Sequence, residues 1–401
     1  MRLNRLENNN TNLIELVILV FLSLAPVFEY YYINDQIWST LYYLPIILPY
    51  ILAVVVFAKN DADMSVYRML FLALILLVLI VTILRFTNDP ISVLIFQGAI
   101  YVSIFTAYHW NKFKINFFSM FFKILSILSI IAFIYIIFGI GVNLTDSINM
   151  KYGWTEIFYL ATIFYAVVPV VIFAFLSKKN LPLALIYWFL AIIVNVIIQK
   201  RFIIVDTALL LACMGMILLL KGYKLRKLLI WIIGISMVIV IGLVFLNEQV
   251  LGVLNHLYER FAVTAENISE FDRFIEIRNA FSEKSIIDVI FGEGFAGTHN
   301  GLNKERYAIH VGWINFILKG GIFLFLATVF QHIKAFTLLK DFKNHPVNIQ
   351  ISICILLVYT ARLVYVNMHS VMPEMLIYFI CLFQIADYTS LKSLQRRRDL
   401  I

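Results

Sequence analysis

The chain has 401 residues, of which 62% are hydrophobic, 15% aromatic and only 14% charged, a composition that excludes a soluble globular protein of this length. A net charge of +8 would point to nucleic acid in a soluble protein, but here the basic residues follow membrane topology, and no nucleic-acid partner is expected. The three cysteines, Cys213, Cys354 and Cys381, stand inside apolar runs without CxxC or Cys/His spacing, which argues against a disulfide framework and a zinc site.

A spanning helix needs about 20 predominantly apolar residues. About twelve such runs are predicted, at 13–32, 40–58, 67–84, 91–108, 117–140, 157–177, 181–199, 202–220, 228–246, 310–331, 347–366 and 371–387. The first run lacks a small-residue cleavage pattern after it and is expected to remain as an anchor. With the N-terminus placed in the cytoplasm, most of the 32 basic residues fall in inner segments, so both termini are expected there. The fold class is an all-α polytopic membrane protein. Its expected regions are 1–246 with transmembrane helices 1–9, 247–309 as one large outward loop with amphipathic helices, and 310–401 with helices 10–12 and a basic tail. No internal repeat is visible, which weighs against a transporter of duplicated halves.

Charges stand out against this apolar background. Lys200 and Arg201 occupy a tight outer turn against the positive-inside trend; they either snorkel to headgroups or bind phosphate oxygens of a lipid-linked substrate. Asp206, within two turns, either orients Arg201 or Lys200 or forms a buried ion pair. At the last outer turn, Arg362, His369 and Glu374 share a face and either line a pocket or pair with one another.

The stretch from Ser269 to Phe325 organises the rest. Ser269 and Asp272 read as a capping box that opens a helix running to about Phe281. At 100° per residue, Phe271, Phe274, Ile275, Ile277 and Phe281 form an apolar face, with Arg278 inside it and Arg273 at its edge. A guanidinium there needs an anion, supplied by a ligand or by a loop carboxylate while the apolar face rests on the membrane interface. The run FGEGFAG at 291–297 follows, its glycines permitting the positive φ of a tight turn back toward the membrane. His310 is expected to begin the tenth helix, ahead of Trp313, Ile314, Ile317 and Gly321, and histidine is the residue type suited to proton transfer near neutral pH. Lys319 lies deeper, either as a functional group or in a buried pair with Glu374 or Asp206. Gly320 and Gly321 are expected to let another helix approach.

With these residues in place, the sequence resembles the O-antigen polymerase (Wzy) and O-antigen ligase superfamily of bacterial envelope polysaccharide enzymes. Arg273, Ala280, Gly292, Gly294, His310 and Gly321 match that family's order of loop arginine, alanine, Gly-x-Gly turn, histidine and helix glycine, and Lys200–Arg201 matches its basic outer turn. The match covers roughly 200–325. It departs at Ile277, where the family often has a large aromatic, and at Val311, where it has Asn or Ser; His299–Asn300 competes as the family dipeptide. The resemblance implies a GT-C-like fold in the bacterial inner membrane, with the active site facing the periplasm and no metal or nucleotide sugar. It implies undecaprenyl pyrophosphate-linked oligosaccharides as donor and acceptor, with a chain-length regulator as a further partner. On that reading His310 is the acid–base residue, and Arg273, Arg278 and Arg201 bind the pyrophosphate. Lys200, Asp206, Lys319, Arg362 and Glu374 are substrate-binding candidates. A ligase of the same superfamily is the nearest rival reading, and a flippase or other transporter the rival from a different class.

Overall fold

The computed structural model describes residues 66–84, 115–139, 162–178, 181–197, 201–221, 272–295, 297–300, 305–306, 309–365 and 373–398, with a few positions before residue 30 and Leu160. The expected helices at 40–58, 91–108 and 228–246, most of 13–32, and the residues Lys200 and His369 lie outside them, as does the side chain of Arg201. The described residues are almost entirely helical. Long apolar runs adopt helix because, away from water, each peptide group must find its partner within its own segment.

The helices are α1 (Val66–Leu84), α2 (Ile115–Ile134, continued by a π turn), α3 (Val167–Ser177, preceded by a 3-10 turn), α4 (Leu181–Ile197) and α5 (Arg201–Leu220). In the loop region come α6 (Asp272–Ser282), α7 (Ile286–Phe291) and a short hairpin of β1 (His299–Asn300) and β2 (Glu305–Arg306), paired antiparallel. Then follow α8 (Gly312–Leu338), α9 (Val347–Tyr365) and α10 (Pro373–Arg398). Among the described residues, four helical stretches are long and apolar enough, by length and composition, to cross a membrane: Val66–Leu84, Gly312–Asn344 (which includes the break at Gly321), Val347–Tyr365 and Glu374–Leu391. α9 and the first half of α10 are buried on nearly every side and form the centre of the bundle, whereas α1 turns Val66, Met69, Leu70, Leu76, Ile80 and Ile83 outward.

Two ionic contacts set the ends of the bundle. Arg68, buried near the start of α1, is bonded through Nε to Asp387 Oδ1 of α10 at 2.9 Å, and a second guanidinium nitrogen contacts the other carboxylate oxygen. At the far end of the same two helices, Thr82 of α1 meets the FGEGF turn, and Glu374 of α10 pairs with Arg362 of α9. Asp206, near the start of α5, joins that pair. The helix ends predicted to share the outward face therefore gather at one end, which we call the loop end.

The expected helix 310–331 is corrected in three ways. It starts at Gly312, so His310 precedes it rather than beginning it; it runs on to Leu338; and it is broken at Gly321, whose φ of 71° and ψ of −176° are not helical. The break is a reversal. The rings of Trp313 and His332 lie 4.9 Å apart, although a straight helix would separate residues 19 positions apart by about 28 Å. Both arms reach the same residue of α9: Trp313 Nε1 donates to Thr360 O at 3.0 Å, and His332 Nδ1 lies 2.7 Å from Thr360 Oγ1. Since the Thr360 hydroxyl donates to Leu356 O at 2.8 Å, His332 Nδ1 is the donor to it and Nε2 accepts from Tyr378 OH at 2.9 Å.

The reversal deprives the carbonyls of Leu318 and Lys319 of the donors four residues on that a continuous helix would supply. The FGEGF turn takes them instead: Glu293 N–H donates to Leu318 O at 2.9 Å and Gly294 N–H to Lys319 O at 3.0 Å. Gly292 and Gly294 have the positive φ expected of them, 77° and 73°. A side chain on Gly292 would overlap the Lys319 carbonyl, one on Gly321 would overlap the Ile290 carbonyl, and one on Gly294 would come within 2.6 Å of Thr82 Oγ1. Gly321 thus admits the last turn of α7, the close approach of another helix expected of it. Phe295 N–H completes the seat by donating to Thr82 Oγ1 at 2.8 Å.

Gly321→Ala is expected to destabilise the fold by about 1–3 kcal/mol from backbone strain alone, with the overlap on Ile290 adding to it. The melting midpoint of the purified protein in detergent measures this, and an unchanged midpoint would show that the reversal does not need glycine.

Candidate functional site

α6 packs its Ala280, Ile277 and Phe281 against Ile309, Val311, Ile314 and Leu318 in a small core of its own. This contact decides which face of α6 is covered. Glu276 and Ala280 are fully buried, whereas Phe274 and Arg278 are exposed. The expectation that Arg278 lies in the covered apolar face is therefore corrected: the face facing the bundle is the one through Glu276 and Ala280, because small Ala280 allows close approach and Glu276 has partners there. Arg278 stands nearly opposite.

Glu276 is bound by His310. The His310 backbone N–H donates to Glu276 Oε2 at 3.0 Å, and His310 Nδ1 lies 2.9 and 3.0 Å from the two carboxylate oxygens. Arg273, one turn earlier, holds NH1 3.6 Å from Oε2. A carboxylate only accepts, so the Nδ1 proton of a neutral His310 points at Glu276 and the lone pair sits on Nε2. The His310 side chain is 42% exposed while that of Glu276 is fully covered. The approach to the helix is itself fixed: Asn315 Oδ1 accepts from Ile309 N–H at 3.0 Å and Asn315 Nδ2 donates to Ile309 O at 2.6 Å.

Burial raises the Glu276 carboxyl, but the hydrogen bonds from the His310 side chain and backbone and the positive charges of His310 and Arg273 outweigh it, holding the group below its ordinary value.

A second carboxylate–imidazole contact lies in the FGEGF turn. His299 Nδ1 is 3.2 Å from Glu293 Oε2, and Lys284 Nζ is 2.9 and 2.8 Å from the two oxygens of the same carboxylate and 3.1 Å from Thr298 O. Lys319, on the first arm of α8, donates to Gly297 O at 2.7 Å and Phe295 O at 3.3 Å. The expected pairing of Lys319 with Glu374 or Asp206 is thus replaced by bonds to loop carbonyls. His299 is sealed in, with no side-chain exposure. Burial lowers its pKa; the bond to Glu293 opposes this, and the charges of Lys319 and Lys284 reinforce it. Glu293 behaves as Glu276 does: burial raises it, and the bonds from His299 and Lys284 bring it below the ordinary value.

No family model, no curated protein and no solved structure matches this chain.

The third cluster sits among the helices of the loop end. Arg362 Nε is 3.3 Å from Asp206 Oδ2, NH1 contacts Glu374, and the guanidinium lies over the Tyr359 ring at 5.3 Å. Tyr365 OH donates to Asp206 Oδ1 at 2.7 Å. Of the two readings of Arg362 and Glu374, pairing is the one found. Asp206 turns to Arg362 and Tyr365 across the bundle. Trp313, three residues after His310, bonds to Thr360, two residues before Arg362, so this cluster and the Glu276–His310 contact occupy neighbouring parts of the same end.

The structure therefore joins His310 and Arg273 through Glu276, joins Asp206, Arg362 and Glu374 to one another, ties Lys319 to the loop, and leaves Arg278 in solvent. Glu276 was the residue missed by sequence reasoning. Its signal was its place among apolar neighbours on α6, one turn before Ala280. Among the described residues no group of His, Cys, Asp and Glu is arranged to hold a metal ion.

Glu276, Glu293 and His299 share a sign. For each, the folded pKa lies below the unfolded one, so the stability it lends the docked loop is present above its unfolded value and is lost as pH falls through the interval to the folded value. Loop docking should weaken first as pH drops below about 6.5, the ordinary histidine value, and again below about 4.3, that of glutamate. Hydrogen exchange of 272–300 as a function of pH measures it, and His299→Gln should remove the first step. Protection that stays flat from neutral pH to the carboxylate range would contradict the assignment.

Proposed function

We propose that this chain is a membrane glycosyltransferase that polymerises lipid-linked repeat units, moving a growing glycan from undecaprenyl pyrophosphate onto a hydroxyl of the incoming unit at the periplasmic face. The observation that carries the reading is the Glu276–His310 contact, which engages Nδ1 and leaves the basic Nε2 of a partly exposed imidazole for a substrate, beside a largely covered arginine at the loop end of an apolar helical bundle. The resemblance of Arg273, Gly292, Gly294, His310 and Gly321 to the polymerase and ligase pattern supplies the substrate class.

In this reaction the acceptor hydroxyl gives its proton to His310 Nε2 as its oxygen attacks the anomeric carbon. The bond from that carbon to the pyrophosphate oxygen breaks, and the lipid pyrophosphate leaves with the electron pair. Glu276 keeps the imidazole in the required tautomer and stabilises the imidazolium that forms, the part a carboxylate plays in a catalytic triad. Arg273 stabilises the charge growing on the leaving diphosphate, and the resemblance adds Arg201 to that role. Attack by the acceptor itself inverts the anomeric configuration: the carboxylate at His310, Glu276, is fully covered and occupied by the imidazole and the His310 N–H, so it is not placed to attack the anomeric carbon. Of His299 and His310, the exposed one is assigned the proton transfer. The bonds of Lys319, Asp206 and Glu374 to protein partners favour this reading over a carrier with midplane ionic sites.

His310→Ala should leave the protein folded and abolish polymer longer than one repeat. Glu276→Gln should lower turnover by about 10²–10⁴-fold, the range typical of acid–base assistance, while binding of the donor is kept. Purified protein supplied with a defined lipid-linked repeat unit provides the measurement; wild-type chain lengths from His310→Ala would remove the histidine from the mechanism. A deletion strain that accumulates long lipid-linked polymer, instead of single capped repeats, would reassign the chain as a ligase.

A further inference from the structure

The short helix α7 has the sequence IIDVIF, and its two leading isoleucines are left open, Ile286 at 79% and Ile287 at 66%. Its single charge does not oppose an apolar surrounding, because Asp288 is turned back onto the helix cap: Ser285 N–H and Oγ bond to Asp288 Oδ2 at 3.0 and 2.7 Å, and Asp288 N–H donates to Ser285 Oγ at 3.2 Å. Neighbouring Lys284 is likewise drawn inward to Glu293. The segment that would be expected to carry polar groups into water presents apolar ones.

This patch is not isolated. Phe291, at the end of α7, contacts Phe323 of α8, with ring centroids 6.4 Å apart. Phe323 opens an outward stripe on the second arm of α8 that continues through Leu326 and Phe330, each about half exposed and spaced three and four residues apart, as one helix face requires. That arm packs against α1, an unbroken helix long and apolar enough to cross a membrane, with Tyr67 OH donating to Ala327 O at 3.1 Å, so its outward stripe faces lipid. The close packing of the Ile290 carbonyl on Gly321 fixes α7 at the upper limit of the stripe.

We propose that α7 is seated in the bilayer, with Ile286, Ile287 and Phe291 among the lipid chains just below the headgroups, as an interfacial extension of the lipid-facing surface of α8. The occupant of this apolar face is the lipid itself. The inference stands independently of the reaction assigned above, since it rests on the continuity of two exposed surfaces and not on His310.

Nitroxide labels at Ile286→Cys and Ile287→Cys test it in the full chain, reconstituted in vesicles of phosphatidylethanolamine and phosphatidylglycerol. The three native cysteines are buried, and the unsubstituted protein reports their background. Collisions with oxygen, which concentrates in lipid, should exceed those with a water-soluble nickel chelate at both positions, and the order should reverse at Glu283→Cys, an exposed polar site before α7. Nickel dominating at 286 and 287 would place α7 in water. Labels closed to both reagents would mean that a protein surface, either a second copy or a partner, covers the face; either result overturns the proposal.

Discussion

The fold at the loop end depends on one backbone event, the reversal of α8 at Gly321. A helix that turns back on itself strands the carbonyls of its last turn, and an unmet carbonyl away from water is expensive. The FGEGF turn meets them with its own N–H groups, at Leu318 and Lys319. Because these bonds join main chain to main chain, they constrain side chains only where Cβ atoms would intrude. Those places are Gly292, Gly294 and Gly321, all with positive φ. The loop is thereby held to the bundle at a defined height, with Thr82 of α1 as a third point of attachment.

From that anchorage the rest of the loop end is placed. The first arm of α8 folds back far enough for Trp313 to touch His332 and bond to Thr360, and the segment leading into it carries His310. α6 lies over this arm through Ala280, which brings Glu276 to the imidazole. A carboxylate covered this completely is tolerable only with strong donors, and His310 supplies two of them, its N–H and its Nδ1. The same carboxylate that is satisfied by the histidine also sets the histidine's tautomer. Glu293 and His299 repeat the chemistry without the access: both are enclosed, with Lys284 as an added partner, and their contribution is to hold the turn.

The ionic groups among the helices follow the same rule. Arg68 with Asp387 and Arg362 with Asp206 and Glu374 are buried and paired across helices distant in sequence. A buried charge that loses its partner is penalised by several kcal/mol, so such pairs act mainly as specifiers of which helices are neighbours and at what height. Lys319 reaches loop carbonyls rather than a carboxylate, which binds it to the seating of the turn.

The sequence alone determined what local chemistry dictates. Apolar length marked the helices at 67–84, 181–199, 202–220 and 347–366 to within a few residues, since twenty apolar residues have few other ways to satisfy their backbone. The helix expected to run to about Phe281 is α6, although Ser269 of the expected capping box lies outside the described residues, and Gly292 and Gly294 of FGEGFAG have the positive φ the sequence announced. Arg362 and Glu374 were legible as sharing one face, because few residues separate their helices, but the pairing between them was one of two alternatives until the structure showed it. What the sequence left open was everything decided by contacts between segments. A wheel drawn on α6 alone selects the face richest in phenylalanine, yet the covered face is the one where Ala280 permits approach and Glu276 finds His310. Gly321 reads as a place for helix contact, which the end of α7 makes there, but not as a reversal whose exposed carbonyls the turn at 292–294 occupies. Periodicity records only the average environment of a face, whereas the pairing of Glu276 with His310, 34 positions later in the chain, is fixed by the tertiary packing that removes both from competing partners in water.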